Sequence, residues 1–312
     1  MNILITRHDK IGDFITTLPL FYVVKKANPS AKIYALVSRI NVELANQIDF
    51  IDEVILYDKN NFWQTLKAIK NADIEVSISA FIDTQLGWIL FLSRIKIRIA
   101  PATKLAQVFF NKTLRQRRSL VEKNEVMYNL DLAKLLNQAI DLNYKVPLLK
   151  LENKQYFRNK HQLQDKQLVL FHPGYGGSSD GNLTLKEYIE LADTVRGKDN
   201  AQIIWTFGPD DISTKNQLQA KINKKDIIYQ PKTLLDFCNL INDSLLIIST
   251  STGPMHLAGA LNIQTIGFFG DNLFASPKRW ATVNDSSKQH NFILNKHLKL
   301  TSVKQIIMKI LC

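Results

Sequence analysis

The residues best suited to chemistry lie directly after the first apolar segment of the chain. Residues 7–13, Arg-His-Asp-Lys-Ile-Gly-Asp, hold two carboxylates, two cations and a histidine. Side chains of these types move protons and bind charged ligands. Gly12 permits a tight turn or a close backbone approach. Asp13 stands where a helix is expected to begin, a position that also favours a carboxylate as a simple cap, so both interpretations stay open.

A glycine- and serine-rich loop opens the second half of the chain. Residues 172–182 read His-Pro-Gly-Tyr-Gly-Gly-Ser-Ser-Asp-Gly-Asn. The backbone N–H groups of such a loop can surround an anion beside the start of a helix. The loop matches neither GxxxxGK[ST] nor GxGxxG. A flexible connection between a strand and a helix is therefore an equally good interpretation.

A third loop, residues 249–260, combines hydroxyl side chains with a glycine, a proline and a histidine. Pro254 suits the first turn of a helix, because its missing N–H would be unpaired there in any case. The backbone amides of Thr252 and Gly253 could contact a diphosphate. His256 lies on the same turn, where a histidine can equally be a structural residue.

The elements that must position these loops alternate between short β-branched runs and segments of helical period. We predict strands at 2–6, 33–37, 54–57, 74–80 and 95–100, and a second series at 167–172, 201–207, 226–229, 245–249 and 265–269. Helices are expected at 13–27, 62–70, 185–195, 234–241 and 254–261. This alternation predicts parallel sheets covered by helices. In such sheets ligands bind at the carboxyl ends of the strands, which is where the three loops fall.

A change of composition at residues 141–166 interrupts the alternation. Pro147 is followed there by many Lys, Asn and Gln residues. We place the domain junction in this stretch, with one domain at 1–150 and a second at 151–312. Two α/β domains of this size are expected to face each other across a cleft.

The composition sets the class of protein and the kind of partner. The 312 residues are 46% hydrophobic and 22% charged, which is globular and excludes disorder. Two cysteines are too few for a disulfide scaffold. The net charge of +12 indicates an anionic partner: nucleic acid, a phosphorylated metabolite or an acidic membrane. The start of the chain has no signal-peptide core, and the apolar run at 86–92 is too short to span a bilayer, so we expect a cytoplasmic protein.

Taken together, the three loops resemble glycosyltransferase family nine, whose best-known members are ADP-heptose:lipopolysaccharide heptosyltransferases. The family begins with a strand, a basic residue, Gly-Asp and Leu-Pro, found here as Ile3 to Arg7, Gly12-Asp13 and Leu18-Pro19. Its pattern [DS]-[ST]-G-x-x-H-[LIV]-A-x-A-[LF] matches residues 251–261, and His-Pro-Gly at 172–174 is also common in it. The similarity extends from residue 1 to about residue 270. The family's Lys-x-Trp-Pro is missing at 181–184, and Ser251 stands where Asp is usual.

The resemblance implies the GT-B fold, in which two Rossmann-like domains bind the acceptor (first domain) and the nucleotide-sugar donor (second domain). It implies an inverting transfer with Asp13 as the general base. The chain has no DxD motif, so the leaving diphosphate is expected to be neutralised without a metal or a resident cofactor. Backbone amides, the loop at 176–179, His256 and cations such as Arg7 would perform this task.

Binding residues follow from the same resemblance. Those assigned to the donor are His172, Gly174, Gly176, Gly177, Ser178, Asp210, Asp211, Ser251, Thr252, Gly253 and His256. Those assigned to the acceptor are Arg7, Lys10, Gly12, Arg94, Arg98, Arg115, Arg117 and Arg118. Several of the latter lie in the stretch 84–121, which contains no Asp or Glu. This stretch is interpreted as a surface for an anionic acceptor, or alternatively as a solvated basic face whose aromatic residues belong to the core.

The expected partners are a nucleotide-sugar donor such as ADP-heptose, a lipid A–Kdo or core-oligosaccharide acceptor, and the anionic inner-membrane surface. A peripheral position on the cytoplasmic face of that membrane follows. Another nucleotide sugar, or another GT-B activity such as nucleotide-sugar epimerisation, remains an alternative. Nucleic-acid binding is disfavoured because the usual recognition elements are absent from the sequence.

Overall fold

The computed structural model describes residues 1–152, 155–174 and 181–312. The chain forms two compact units, Met1–Lys150 and Leu151–Cys312. Each unit is built on one parallel sheet, as the alternation of short strands and helices predicts. No helix within the described ranges combines the length and the apolar character needed to cross a bilayer.

The first unit contains a six-stranded sheet in the order β3-β2-β1-β4-β5-β6. Its strands are β1 (Asn2–Arg7), β2 (Lys32–Val37), β3 (Glu53–Leu56), β4 (Val76–Ser79), β5 (Ile97–Pro101) and β6 (Lys112–Leu114). Ile3 of β1 pairs with Ile33 on one side and with Val76 on the other, both in parallel register. The strand order reverses between β1 and β4. Their carboxyl ends therefore form the crevice in which such sheets bind ligands.

Helices cover the faces of this sheet: α1 (Ile11–Ile15), α2 (Leu18–Ala27), α3 (Arg39–Ala45), α4 (Phe62–Asn71), α5 (Thr84–Leu92) and α6 (Glu125–Asp131). The single helix predicted at 13–27 is wrong, because α1 and α2 are separate. Pro19 explains the break, since a proline ring inside a continuous helix would clash with the carbonyl of Ile15. At the start of α2 the same proline is tolerated.

The second unit repeats the strand order of the first in the sheet β12-β11-β10-β7-β8-β9. Its strands are β7 (Gln167–His172), β8 (Ala201–Thr206), β9 (Ile227–Tyr229), β10 (Leu246–Thr250), β11 (Gln264–Phe269) and β12 (Gln289–Ile293). All pairs are parallel. The order reverses between β7 and β10, so the ligand-binding crevice of this sheet lies at their carboxyl ends.

The helices of the second unit are α7 (Tyr156–His161), α8 (Leu185–Arg196), α9 (Ile212–Gln219), α10 (Leu234–Asp243), α11 (Gly253–Ala260), α12 (Pro277–Trp280) and α13 (Leu300–Leu311). Helix α13 was not predicted, and it packs with α8 in the core. Val303, Ile307 and Leu311 are its buried residues. Their spacing of four is the helical signal that would have identified it.

Candidate functional site

The first candidate site lies where β1 ends, beside the crevice between β1 and β4. The chain leaves β1 at Arg7, and α1 begins at Ile11 with Lys10 as its N-cap. Asp13 is therefore the third residue of the helix, so its interpretation as the cap is wrong. Gly12 lies inside α1 as well, and its carbonyl accepts a hydrogen bond from the N–H of Thr16 at 3.0 Å. The turn between strand and helix is made by residues 8–10.

A buried arginine holds the Asp13 carboxylate. Arg7 is only 2% exposed. Its Nε donates to Oδ1 of Asp9 at 2.7 Å, and its Nη2 donates to Oδ1 of Asp13. Its Nη1 lies 3.7 Å from Oε1 of Glu125. The expectation that Arg7 binds the acceptor or the leaving group is corrected, because this guanidinium is surrounded by three carboxylates of its own unit.

The Asp13 carboxyl is partly open to solvent and unusually basic. Its side chain is 18% exposed, whereas that of Arg7 is almost completely buried. Burial raises the pKa of Asp13 to about 6, and the charges of Asp9 and Glu125 add to this effect while Arg7 opposes it. Burial alone would lower the pKa of Arg7, but the nearby carboxylates raise it instead. Asp13 is thus a stronger proton acceptor than an ordinary aspartate, and it is still ionised at neutral pH.

Helix α6 supplies the third carboxylate of this cluster, a contribution that the sequence analysis missed. Glu125 is buried and accepts a hydrogen bond from Nη1 of Arg118. Asn129 on the same helix donates from its amide to the carbonyl of Thr16 at 3.1 Å. Arg118, which was assigned to the acceptor, thus pairs with Glu125, and its side chain is 17% exposed. No local pattern in the sequence indicates that residues so far apart meet.

A second acid–base pair lies at the carboxyl end of β4. Nε2 of His8 is 2.8 Å from Oδ2 of Asp83, and the His8 ring packs against Tyr57 and Phe81. Asp83 also caps α5 by accepting the N–H of Leu86 at 2.8 Å. Burial opposes ionisation, but the hydrogen bonds from His8 and Leu86 lower the pKa of Asp83 to about 2. Asp83 was not among the residues predicted to form a site.

The remaining cations assigned to the acceptor do not form one group. Lys10, Arg115 and Arg117 are exposed. Arg94 and Arg98 line a cavity near the beginning of β5, together with residues of α4 and α5. Because the strands are parallel, the beginning of β5 lies at the opposite edge of the sheet from Asp13. The structure therefore places Arg94 and Arg98 away from the Asp13 site, on another part of the predicted acceptor surface.

The second candidate site lies at the carboxyl ends of β7 and β10. His172 ends β7 in a buried position, with Nδ1 at 2.9 Å from Oγ1 of Thr206. Its Nε2 lies 4.0 Å from Oδ2 of Asp211. Burial lowers the pKa of His172 to about 4, although Asp211 opposes this, so the imidazole is neutral at pH 7. His172 thus helps to build the site without adding a positive charge.

Asp211 is held between two glycines, whereas Asp210 faces solvent. The N–H of Gly208 donates to Oδ2 of Asp211 at 3.0 Å. A Cβ atom at Gly174 would lie 1.9 Å from the same oxygen, so this position requires glycine. Asp210 is exposed and Asp211 is buried. Of the two aspartates assigned to the donor, Asp210 is the one more open to a ligand.

The glycine-rich loop is anchored at both ends. Gly176, Gly177 and Ser178, which the sequence analysis assigned to the donor, lie outside the described residues. On either side of them, Nδ2 of Asn182 donates to the carbonyl of Pro173 at 2.7 Å. A Cβ atom at Gly181 would lie 2.4 Å from the backbone nitrogen of Gly270. The loop therefore begins and ends at the edge formed by β7, β10 and β11.

The start of α11 presents unused hydrogen-bond donors. The N–H of Thr252 donates to the carbonyl of Thr250 at 2.8 Å, so the prediction that this amide contacts a diphosphate is corrected. Within the described parts of the chain, no acceptor pairs with the N–H of Gly253 or of Met255. Pro254 between them has no N–H. Gly253 is partly exposed whereas Met255 is buried, so the first turn of α11 offers the amide of Gly253 and the positive end of a helix to an anion.

His256 adds an unsatisfied polar atom to the same helical turn. The residue is only 3% exposed, and its Nδ1 has no hydrogen-bond partner among the residues described. Burial lowers the pKa of His256 to about 4. The imidazole is therefore neutral at pH 7, and it can hydrogen-bond to a ligand but cannot act as a counter-charge. An unpaired buried polar atom is costly, which favours a ligand that pairs with it.

Comparisons with known proteins find similarity over almost the whole chain. Residues 63–307 match the profile of the family described as glycosyltransferase family 9 (heptosyltransferase). A candidate glycosyltransferase of Haemophilus influenzae is 36% identical over 307 residues, which cover 93% of this chain and 88% of the relative.

Solved structures with a similar fold include two from E. coli. The E. coli ADP-heptose lps heptosyltransferase II superposes with a TM-score of 0.86 at 17% identity, covering 100% of this chain and 98% of that one. The E. coli heptosyltransferase WaaC with ADP superposes with a TM-score of 0.79 at 15% identity, covering 99% and 100% of the two chains.

Proposed function

The chain belongs to glycosyltransferase family 9 and has the predicted GT-B fold, and from this premise we propose which sugar transfer it performs. The proposed reaction moves a heptose or a related sugar from a nucleoside-diphosphate donor, ADP-heptose, to the inner core of lipopolysaccharide. It inverts the anomeric configuration and requires no metal. The proposed location is the cytoplasmic face of the inner membrane, where the enzyme is peripheral.

The observation that carries this proposal is the Asp13 carboxylate, which is partly open, has a raised pKa and is held by the buried Arg7. In the proposed reaction Asp13 accepts the proton of an acceptor hydroxyl. The hydroxyl oxygen forms a bond to the anomeric carbon while the bond from that carbon to the diphosphate breaks, and the diphosphate leaves with the bonding electrons. A pKa near 6 keeps Asp13 ionised at neutral pH and makes it a useful base.

We assign the donor to the second unit and the acceptor to the first. The unused amide of Gly253 and the unpaired Nδ1 of His256 support a diphosphate at the start of α11. Such groups stabilise the charge that develops on a leaving diphosphate without a metal. The exposed position of Asp210 supports a contact with the donor's ribose or base. One similar structure is of a heptosyltransferase with ADP, which supports an adenine nucleotide as the donor's nucleotide.

The proposal is tested by incubating the enzyme with ADP-heptose and a delipidated Kdo–lipid A fragment in the presence of EDTA. We expect heptose transfer, measured by mass spectrometry, with an inverted anomeric configuration in the NMR spectrum of the product. Parallel reactions with UDP- and GDP-sugars compare donors. If the donor changes its configuration without any acceptor, the activity is epimerisation and the proposed transfer is wrong. Loss of activity in EDTA would contradict the metal-free mechanism.

A further inference from the structure

Six exposed large apolar side chains lie on three neighbouring elements of the first unit. They lie on α4, on α5 and on the 3₁₀ helix Leu105–Phe109, which packs with α5. Trp63 is 72% exposed and Leu105 is 89% exposed. We call this surface the α4–α5 face and define it by the exposed residues Trp63, Trp88, Phe91, Leu92, Leu105 and Val108. Apolar residues grouped in this way on a surface mark an interaction site.

Helix α5 exposes apolar side chains that the core of the unit does not need. Its inner side already contributes Leu86, Ile89 and Leu90 to the core. Its outer side nevertheless carries Trp88 and Phe91, which contact each other and Phe109. A helix that is apolar on all sides is expected to be covered on all sides. The outer side of α5 is therefore suited to an apolar partner.

A positively charged cavity of about 640 Å³ adjoins these apolar residues. Its lining consists of Trp63, Leu66, Lys70, Phe91, Leu92, Arg94, Ile95, Lys96 and Arg98, which include four cations and no acid. The salt bridges formed by the described residues use none of these cations. Arg98 instead lies over the ring of Phe91 at 5.5 Å and donates to the carbonyl of Phe109 at 2.7 Å. No carboxylate of the lining neutralises these four cations, so the cavity can accept an anion.

The charge also determines which partner fits the α4–α5 face. A second copy of the chain bound through the same face about a twofold axis would bring like cations together, which is unfavourable. An anionic bilayer complements both the exposed apolar residues and the cations of this face. Aromatic side chains settle at the level of the headgroups, and basic side chains attract anionic lipids.

We propose that the α4–α5 face docks on the surface of an anionic lipid bilayer. The exposed aromatic residues then lie among the headgroups, and a lipid phosphate enters the cavity between Lys70, Arg94, Lys96 and Arg98. This inference rests on the membrane location in the proposed function and specifies the surface responsible for it. Since α4 and α5 cover a face of the sheet, the docked enzyme keeps the edge that bears Asp13 uncovered.

Vesicle flotation at low salt tests this surface. Wild-type protein is expected to bind vesicles that contain phosphatidylglycerol and to remain unbound with pure phosphatidylcholine. Reversing two exposed cations of the cavity with Lys70→Glu and Lys96→Glu is expected to weaken binding at least about thirtyfold, because each cation near the surface contributes substantially. A control that reverses Lys224 and Lys225, exposed cations of the second unit, keeps the same net charge and is expected to bind far better.

The apolar contribution has its own matched pair of variants. Trp63→Ala with Phe91→Ala is expected to reduce vesicle binding, whereas Ile212→Ala, which removes an exposed apolar residue of the second unit, is not. Equal binding of wild type and both sets of face variants would overturn the proposal, as would equal binding to neutral vesicles. A dimer in sedimentation that Trp63→Ala with Phe91→Ala dissociates would assign the face to a second copy instead.

Sugar transfer to a soluble, delipidated acceptor tests the proposed function independently of the α4–α5 face. The face variants are expected to keep the wild-type rate with that soluble acceptor, because none of their residues lies at the Asp13 site. If the wild type transfers no sugar, the proposed function is wrong. Vesicle binding by the wild type and by the face variants still tests the α4–α5 face.

Discussion

At the scale of single residues, the chemistry of the first unit depends on the pairing of one buried arginine with several carboxylates. Arg7 fixes the position of Asp13, while burial, together with the charges of Asp9 and Glu125, raises the pKa of that carboxyl. The sequence predicts Asp13 because it follows a strand in a recognisable motif. It does not predict the partners on α6, since Arg7 and Asn129, which hydrogen-bond, are 122 residues apart. Only the folded sheet brings them together.

The pKa of Asp13 predicts an acid limb in the pH profile of activity. Protonated Asp13 cannot accept a proton, so kcat/KM is expected to fall as the pH drops through about 6. Glu125→Gln removes a charge that raises this pKa and is expected to move the limb to lower pH. The measurement is kcat/KM between pH 4.5 and 8 for both proteins. Asp49→Asn, at an exposed carboxylate, is the control and should leave the limb in place. A limb that stays in place in Glu125→Gln would contradict the assignment.

Buried neutral histidines predict how stability depends on pH. Burial lowers the pKa of His256 from 6.5 to about 4, so the folded state resists protonation that the unfolded chain accepts. The stability from this group is fully present above pH 6.5 and is lost as the pH falls towards 4. Between pH 7.5 and 5 the loss is about 2 kcal/mol. His256→Gln is expected to avoid most of this loss in chemical denaturation, and His297→Gln, at an exposed position, is not. Equal losses in wild type and His256→Gln would refute this explanation.

At the scale of elements, both units use one strand order to bring distant loops to a central crevice. Apolar β-branched runs predicted β7 at its observed bounds, Gln167–His172, because a buried parallel strand depends on local composition. Short β6, Lys112–Leu114, was not predicted, since only its pairing with β5 makes it a strand. The loops with chemical residues were correctly placed after strands. Which of their amides are used could not be predicted, because Thr252 pairs with a carbonyl two residues before it.

Gly181 tests how firmly the glycine-rich loop must be anchored to β11. A Cβ atom here would lie 2.4 Å from the nitrogen of Gly270 and 2.7 Å from the carbonyl carbon of Phe269, both of them backbone atoms. Gly181→Ala is therefore expected to lose about 1–3 kcal/mol of unfolding free energy and to weaken ADP binding. The control is Gly197→Ala, whose nearest neighbour would be at 3.6 Å and which should change stability little. Chemical denaturation and calorimetric titration provide the two measurements, and similar values for the two variants would show that close packing at Gly181 is unimportant.

At the scale of the whole molecule, the net charge of +12 is divided between different tasks. Arg7 and Arg118 pair with carboxylates of their own unit, whereas the cavity beside α4 and α5 is lined by four cations that form no salt bridge among the described residues. Composition alone predicted an anionic partner but could not distinguish these uses. The distinction requires knowing which cations meet carboxylates in the folded chain.

Nucleotide binding should stabilise the whole chain according to affinity. A ligand that binds only the folded state, at 100 times its Kd, adds about 2.7 kcal/mol of stability. We expect ADP to raise Tm more than UDP or GDP does, with the same shift in EDTA, because amides rather than a metal are proposed to hold the diphosphate. Differential scanning fluorimetry measures these shifts. A larger shift with UDP would assign the donor to another nucleotide.

The most direct test of the central claim compares Asp13→Asn with Asp9→Asn in sugar transfer at pH 8. Both variants remove one carboxylate from Arg7, but only the first removes the proposed base. We predict that Asp13→Asn lowers kcat by about 10²- to 10⁴-fold while donor affinity stays unchanged, and that Asp9→Asn keeps most of the activity. Undiminished transfer by Asp13→Asn, or an equal loss in both variants, would contradict the assignment of Asp13 as the base.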